Sequence, residues 1–137
     1  MNILFIGAFS TKSLLDQYPD KGLDTYKTSA FLIRGFRQID DVKLDVVTAP
    51  NLGSWPKFPQ KRIRRIVEED GTISVSFINF PFLKQLVITR HLYKEACRFI
   101  NKNKDKTYVI IPYVVYHQVR VGVKLKKRYG SKVVLCQ

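Results

Sequence analysis

Apolar residues follow two kinds of pattern along this chain, and their order predicts alternating strands and helices. Ile3, Leu4, Phe5 and Ile6 form an unbroken apolar run ended by Gly7, which predicts a strand buried on both faces, the central strand of a parallel sheet. A turn over Tyr18-Pro19-Asp20-Lys21-Gly22 follows, and Asp24 or Thr25 can cap a helix. In that helix Leu32, Ile33, Phe36 and Ile39 recur at helical spacing, with Arg34, Arg37 and Gln38 opposite. Leu44 to Thr48 predicts the second strand, broken by Pro50. Asn51 to Gln60, with Gly53, Pro56, Pro59 and an isolated Trp55, predicts an irregular loop. The basic cluster Lys57, Lys61, Arg62, Arg64 and Arg65 is expected on a short helix ending at Glu68-Glu69-Asp70-Gly71.

Thr72 to Phe80 predicts the third strand, closed by Pro81. A long helix from Phe82 to about Lys102 is expected to bury Leu83, Leu86, Val87, Tyr93, Ala96, Cys97 and Ile100, and to leave Lys94, Arg98, Lys102 and His91 in solvent. Tyr108 to Ile111 is the fourth strand, Val115 to Tyr129 a last helix capped by Gly130, and Val133 to Leu135 a fifth strand. The alternation predicts an α/β fold: a doubly wound, Rossmann-like parallel sheet in the order 3-2-1-4-5 with helices on both faces. Residues 1–137 then make one domain. A chain that stops on a buried strand is unusual for a complete enzyme, so the expectation is a fragment.

Charge sharpens the picture. The net charge is +13; residues 1–56 hold six basic and six acidic side chains, residues 57–137 eighteen and five. The excess therefore lies wholly in the second part and implies an anionic partner: nucleic acid, acidic lipid or a phosphorylated substrate. The late apolar stretch Val109 to Tyr116 contains Pro112 and falls far short of the about 20 residues that span a bilayer. Cys97 and Cys136 read as buried free thiols, which fits a reducing, cytoplasmic compartment.

Candidate chemistry is sparse. Gly7-Ala8-Phe9-Ser10-Thr11-Lys12-Ser13 lacks the second glycine of a nucleotide-phosphate loop, and the dinucleotide fingerprint fails because the next glycine is Gly22. A strand-end glycine loop remains, which can hold an anion through backbone amides or simply turn. His117 lies where a general base or a phosphate contact would be well placed, and it can equally be structural. Carboxylates are too few to predict a metal site. The basic cluster sits beside Trp55 and Phe58, which could insert among lipid headgroups or stack on a sugar or base; a solvated charged surface is the alternative.

The opening strand and Gly7 loop, Gly22-Leu23 leading into a helix, the exit Val42-Lys43-Leu44-Asp45-Val46-Val47-Thr48, and the closing segment from Val123 to Leu135 together resemble the N-terminal domain of family-four (group one) glycosyltransferases. These are retaining enzymes of the GT-B architecture, built from two facing Rossmann-like domains, and the likeness spans nearly the whole chain. The resemblance implies an acceptor-binding domain that lacks its C-terminal nucleotide-sugar domain and is inactive alone. It places Gly7, Ala8, Phe9, Ser10, Gly22 and Leu23 toward the interdomain cleft, facing the acceptor or the donor diphosphate. Many members carry a histidine directly after the fourth strand; Tyr113 holds that position here and His117 follows, so these two are the catalytic candidates. No cofactor is expected on this fragment, and a nucleotide-sugar donor is expected for the whole enzyme.

The first expectation is thus transfer of a sugar to a lipid-linked or polyanionic glycan acceptor, as in polysaccharide biosynthesis. Trp55, Lys57, Phe58, Lys61, Arg62, Arg64 and Arg65 would touch an anionic surface at the inner membrane face. The alternative is a small basic nucleic-acid-binding module with Phe77 and Phe80 as its aromatic platform, although no specific nucleic acid is expected. A flavodoxin-like domain without activity is the third reading.

Overall fold

The structure, a computed structural model, describes residues 1–17, 25–50, 52–113 and 116–136, with residues 25–29 described by their backbone alone. The turn expected over Tyr18 to Gly22, the candidates Gly22 and Leu23, and the cap at Asp24 lie outside the described residues.

The chain forms an α/β fold around a mixed, mostly parallel sheet. In order the elements are β1 (Asn2–Gly7), α1 (Lys12–Gln17), α2 (Thr25–Arg37), β2 (Lys43–Thr48), β3 (Arg62–Ile63), β4 (Ile66–Val67), β5 (Ile73–Ser74), β6 (Phe77–Ile78), α3 (Leu83–Lys102), β7 (Tyr108–Pro112), α4 (Tyr116–Tyr129) and β8 (Val133–Leu135). The six-stranded sheet runs β4-β5-β2-β1-β7-β8, and β3 and β6 form a separate antiparallel pair. β1 is flanked in parallel by β2, with Phe5 opposite Val46, and by β7, with Leu4 opposite Ile110.

Alternation along the central strands supplies a core on each face. Leu4, Ile6, Val47, Tyr108 and Ile110 join Ile88, Leu92, Ala96 and Ile100 of α3 and Val121 and Leu125 of α4 in the larger cluster. Phe5 and Val46 meet Phe9 and Ile33 of α2 in the smaller one. Burial on both faces is why the β1 run is apolar at every position. α4 lies so close to the sheet that a Cβ on Gly122 would stand 2.8 Å from Leu135 Cδ1.

Several expectations need correction. The sheet has an antiparallel edge strand, β4, absent from the expected order 3-2-1-4-5. The expected third strand breaks after Ser74: Ile73 and Ser74 pair with β2, whereas Phe77 and Ile78 pair with β3. The basic cluster forms no helix; Arg62 lies in β3, and Arg64 and Arg65 lie between β3 and β4. The first turn of α3 overhangs the core, leaving Leu83 and Leu86 exposed while Lys84 is buried. Of the expected stripe only Ile33 of α2 is buried; Leu32 in the same helix and Ile39, beyond its end, are exposed. Both cysteines are free, but Cys136 is exposed.

Candidate functional site

Ala8 after β1, Ala49 after β2 and Tyr113 after β7 stand at the carboxyl edge of the parallel strands, where open α/β sheets hold their ligands, and Lys84 ties the start of α3 to Leu52 beyond β2. The β1 loop turns its side chains inward: Ala8, Phe9 and Ser10 are buried. Thr48 Oγ1 accepts from Phe9 N at 3.0 Å and donates to Phe9 O at 2.8 Å. Gly7 O accepts from Gln118 Nε2 at 3.2 Å and from Ala49 N at 3.3 Å. A Cβ on Gly7 would come within 2.5 Å of the Phe9 ring, so packing accounts for this glycine. The backbone groups that an anion cradle would need are therefore partly engaged. Polar capacity remains in side chains, since Ser10 Oγ, Thr11 Oγ1 and Gln118 Oε1 are buried without a hydrogen-bond partner among the described residues.

From β2 the chain passes through a strap, residues 52–61, before reaching β3. Asn79 clasps it at both ends: its Nδ2 donates to Gly53 O at 3.1 Å and to Gln60 O at 3.0 Å, its backbone O accepts from Trp55 N at 2.9 Å, and its N donates to Lys61 O at 2.7 Å. Lys84 Nζ donates to Leu52 O and sits 5.9 Å from the Phe77 ring, and burial pushes its pKa down. Trp55 is 37% exposed, packs 5.7 Å from Phe80 and carries the Lys61 ammonium 5.0 Å above its ring. Phe58 is 3% exposed and belongs to the core, which corrects its assignment to a membrane contact. Lys57 is exposed.

The arginines divide. Arg65 is bound to the buried Glu95, Nε to Oε1 at 2.8 Å and Nη2 to Oε2 at 3.3 Å, and Arg98 reaches the same Oε1 at 2.7 Å. Arg65 is thus not a free surface cation. Arg62 and Arg64 are exposed. Together with Arg65, Leu14, Gln17, Gln60, Ile63 and Ile66 they line a cleft of about 430 Å³ between α1 and the β3–β4 segment.

A second cleft, about 670 Å³, lies on the other side of α1 against α2. Phe9, Thr11 and Ile33 line it, with Lys12, Arg34 and Arg37 facing Asp16, Glu68, Glu69 and Asp70. Arg37 Nη1 pairs with Asp70 Oδ2 at 2.7 Å, and Ser13 donates to Glu68 through N at 3.2 Å and Oγ at 2.8 Å. The Ser13–Glu68 bonds tie α1 to the end of β4 and fix the partition between the clefts.

Tyr113 and His117, the catalytic candidates, are not brought together. Tyr113 packs against the α2-side cluster, whereas His117 contacts α3. Thr89 Oγ1 donates to Gln85 O at 2.8 Å, so its contact with His117 Nδ1 at 3.3 Å requires the imidazole to donate. Nδ1 then carries the proton and Nε2 keeps its lone pair. Burial lowers the His117 pKa, assisted by the Arg120 charge, so the ring is neutral at pH 7. Tyr116 stands edge-on to it at 5.4 Å. His91, expected in solvent, is instead half-buried and contacts Ser76 O through Nδ1 at 2.5 Å, a structural tie.

Asn79, Thr89, Glu95 and Gln118 were not singled out by sequence reasoning, because their partners lie far along the chain. At the start of α3, Phe82 (93% exposed, φ +69°), Leu83 and Leu86 are exposed apolar side chains, as is Tyr116 beside His117. Among the described residues no group of three His, Cys, Asp or Glu could hold a metal ion, and no helix is long and apolar enough to cross a membrane. Compared with protein families, curated proteins and solved structures, the chain matches none.

Proposed function

We propose that the chain is the acceptor-binding domain of a retaining glycosyltransferase that transfers a sugar from a nucleotide-sugar donor to a lipid-linked or polyanionic glycan acceptor. The observation that carries this reading is the gathering at one sheet edge of the Gly7 loop, the clasped strap with Trp55, the apolar opening of α3 and the Tyr116–His117 pair. Phe82, Leu83 and Leu86 would receive an apolar acceptor tail, Trp55 a sugar face, and Lys57 and Lys61 the anionic part. His117 Nε2 would accept a hydrogen bond from an acceptor hydroxyl. The parallel strands in the succession β5-β2-β1-β7-β8 suit a Rossmann-like half of a GT-B enzyme. The donor half would be a second such domain, and the work would be done at the cytoplasmic face of the membrane. The nucleic-acid alternative is weakened because Phe77 is 2% exposed and cannot stack on bases.

The test is an amide chemical-shift titration of the chain with a polyprenyl-phosphate-linked sugar and, in parallel, with the same polyprenyl phosphate lacking the sugar. Sugar-dependent shifts at Ser10, Trp55 and His117 are expected. Identical shifts from both lipids, or shifts produced only by single-stranded DNA, would overturn the reading.

A further inference from the structure

We propose that the cleft between α1 and the β3–β4 segment is a phosphoryl-binding site in which Arg62 and Arg64 are the anion ligands and Arg65 is a fixed wall. Among the described residues, three arginines line this cleft and no carboxylate does. Among the described residues, Arg62 and Arg64 form no ion pair, so both guanidinium groups are left for water or an anion in this cleft. A guanidinium presents a planar fork that matches two oxygens of a phosphoryl group, and two forks on one group are far more selective than two ammonium charges.

The setting is rigid where it needs to be. Glu95 holds Arg65 through two bonds, Ser13 and Glu68 anchor α1, and Asn79 pins Gln60 O at the rim. Leu14, Ile63 and Ile66 supply an apolar floor, and the amides of Gln17 and Gln60 add donors and acceptors. A volume of about 430 Å³ is in the range of small-ligand pockets. The ligand class is accordingly a phosphate monoester whose remaining part lies over the apolar floor. A soluble sugar phosphate and a phosphomonoester lipid headgroup share that chemistry. The site stands on this cleft alone and does not need the transferase reading.

The experiment titrates the whole chain with inorganic phosphate and with glucose 1-phosphate by calorimetry. Flotation with phosphatidylcholine vesicles, with and without phosphatidic acid, runs in parallel. The decisive comparison is between two double variants that remove the same charge: Arg62→Gln with Arg64→Gln in this cleft, and Lys12→Gln with Arg34→Gln in the other. The first is expected to weaken phosphate binding by about tenfold or more, as loss of a charged hydrogen-bonding partner does. The second should change it by less than about twofold, the scale of a screened distant charge. Replacing Arg62 and Arg64 by Lys keeps the charge and loses the fork, so intermediate weakening is expected; this conservative pair carries the test should the glutamine pair fail to fold. Equal losses in both glutamine pairs, or no binding of either phosphate at millimolar concentration, would overturn the site. If the first pair also abolishes flotation with phosphatidic acid, the source is the lipid headgroup; if flotation persists while ester binding is lost, it is the soluble ester.

Discussion

Two clefts flank α1, and they dispose of charge in opposite ways. Against α2, Lys12, Arg34 and Arg37 face four carboxylates; against β3–β4, Arg62, Arg64 and Arg65 line a cleft with no carboxylate among its described residues, and Glu95 holds Arg65 from outside that lining. A net charge of +13 describes neither. What decides the character of each cleft is which charges the fold has already matched: Arg37 with Asp70, Arg65 and Arg98 with Glu95, and Ser13 with Glu68. The difference teaches that a basic composition becomes a recognition surface only where architecture leaves cations unmatched. The segment from residue 52 to 79 builds a wall of both clefts, so breaking what holds it should disturb both.

The largest effect is expected for Asn79→Ala. Its amide satisfies two strap carbonyls, and truncation leaves them without that donor, for a loss of about 3 kcal/mol in urea unfolding. Hydrogen exchange should rise over the strap while α3 stays protected. An unchanged unfolding midpoint would mean that the strap is held by other contacts.

That same residue shows why part of the fold was legible in the sequence and part was not. β1 is buried on both faces, so burial alone writes a continuous apolar run from Ile3 to Ile6. The rear of α3 is legible for a similar reason, with Ala96, Cys97 and Ile100 buried at helical spacing. Between β2 and α3 no local period exists to read. Asn79 acts across 26 and 19 residues, and Arg65 meets Glu95 across 30. Two-residue strands are too short to show alternation, so the arginine cluster reads as a helix. Of the candidate site, the position of the Gly7 loop was legible, but its inward-turned side chains were not, because Thr48 and the Phe9 ring dictate them.

Glu95→Gln sharpens the comparison from the basic side. The buried carboxylate gathers Arg65 and Arg98, whose side chains are 42% and 64% exposed, so solvent screens much of the attraction. A loss of about 1.5 kcal/mol is expected, largely from the buried charge-assisted bonds. Thermal unfolding at low and high salt reads both parts: the loss should shrink but not vanish as salt rises.

Ser13→Ala touches the partition itself. Removing the hydroxyl deletes the 2.8 Å bond to Glu68 Oε2 and leaves the Ser13 N–H on Oε1. A cost of about 1 kcal/mol is expected. Amide exchange should increase in α1 more than in α2, since only α1 is anchored through this bond. Equal changes in both helices would mean that the two clefts move as one.

The smallest effect is a pH dependence that the charge-balanced cleft should have and the basic cleft should lack. Burial pushes the Asp70 carboxyl up, but the Thr72 N–H and the Arg37 guanidinium outweigh it and hold it below its ordinary value of 3.8. The unfolded chain therefore binds this proton more readily, so the contribution of Asp70 is complete above about pH 3.8 and is lost as pH falls through the folded value. Arg37→Gln removes one of the lowering influences and moves the folded value back toward the unfolded one. Less stability should then be lost below about pH 3.8, and the acid arm should end at a higher pH, shifted toward the unfolded value. Arg62→Gln removes the same charge from the other cleft, where no carboxylate among the described lining residues answers to it. Its acid arm should stay where the wild type has it, and a matching shift in both variants would mean that overall charge, and not local pairing, sets the acid limit.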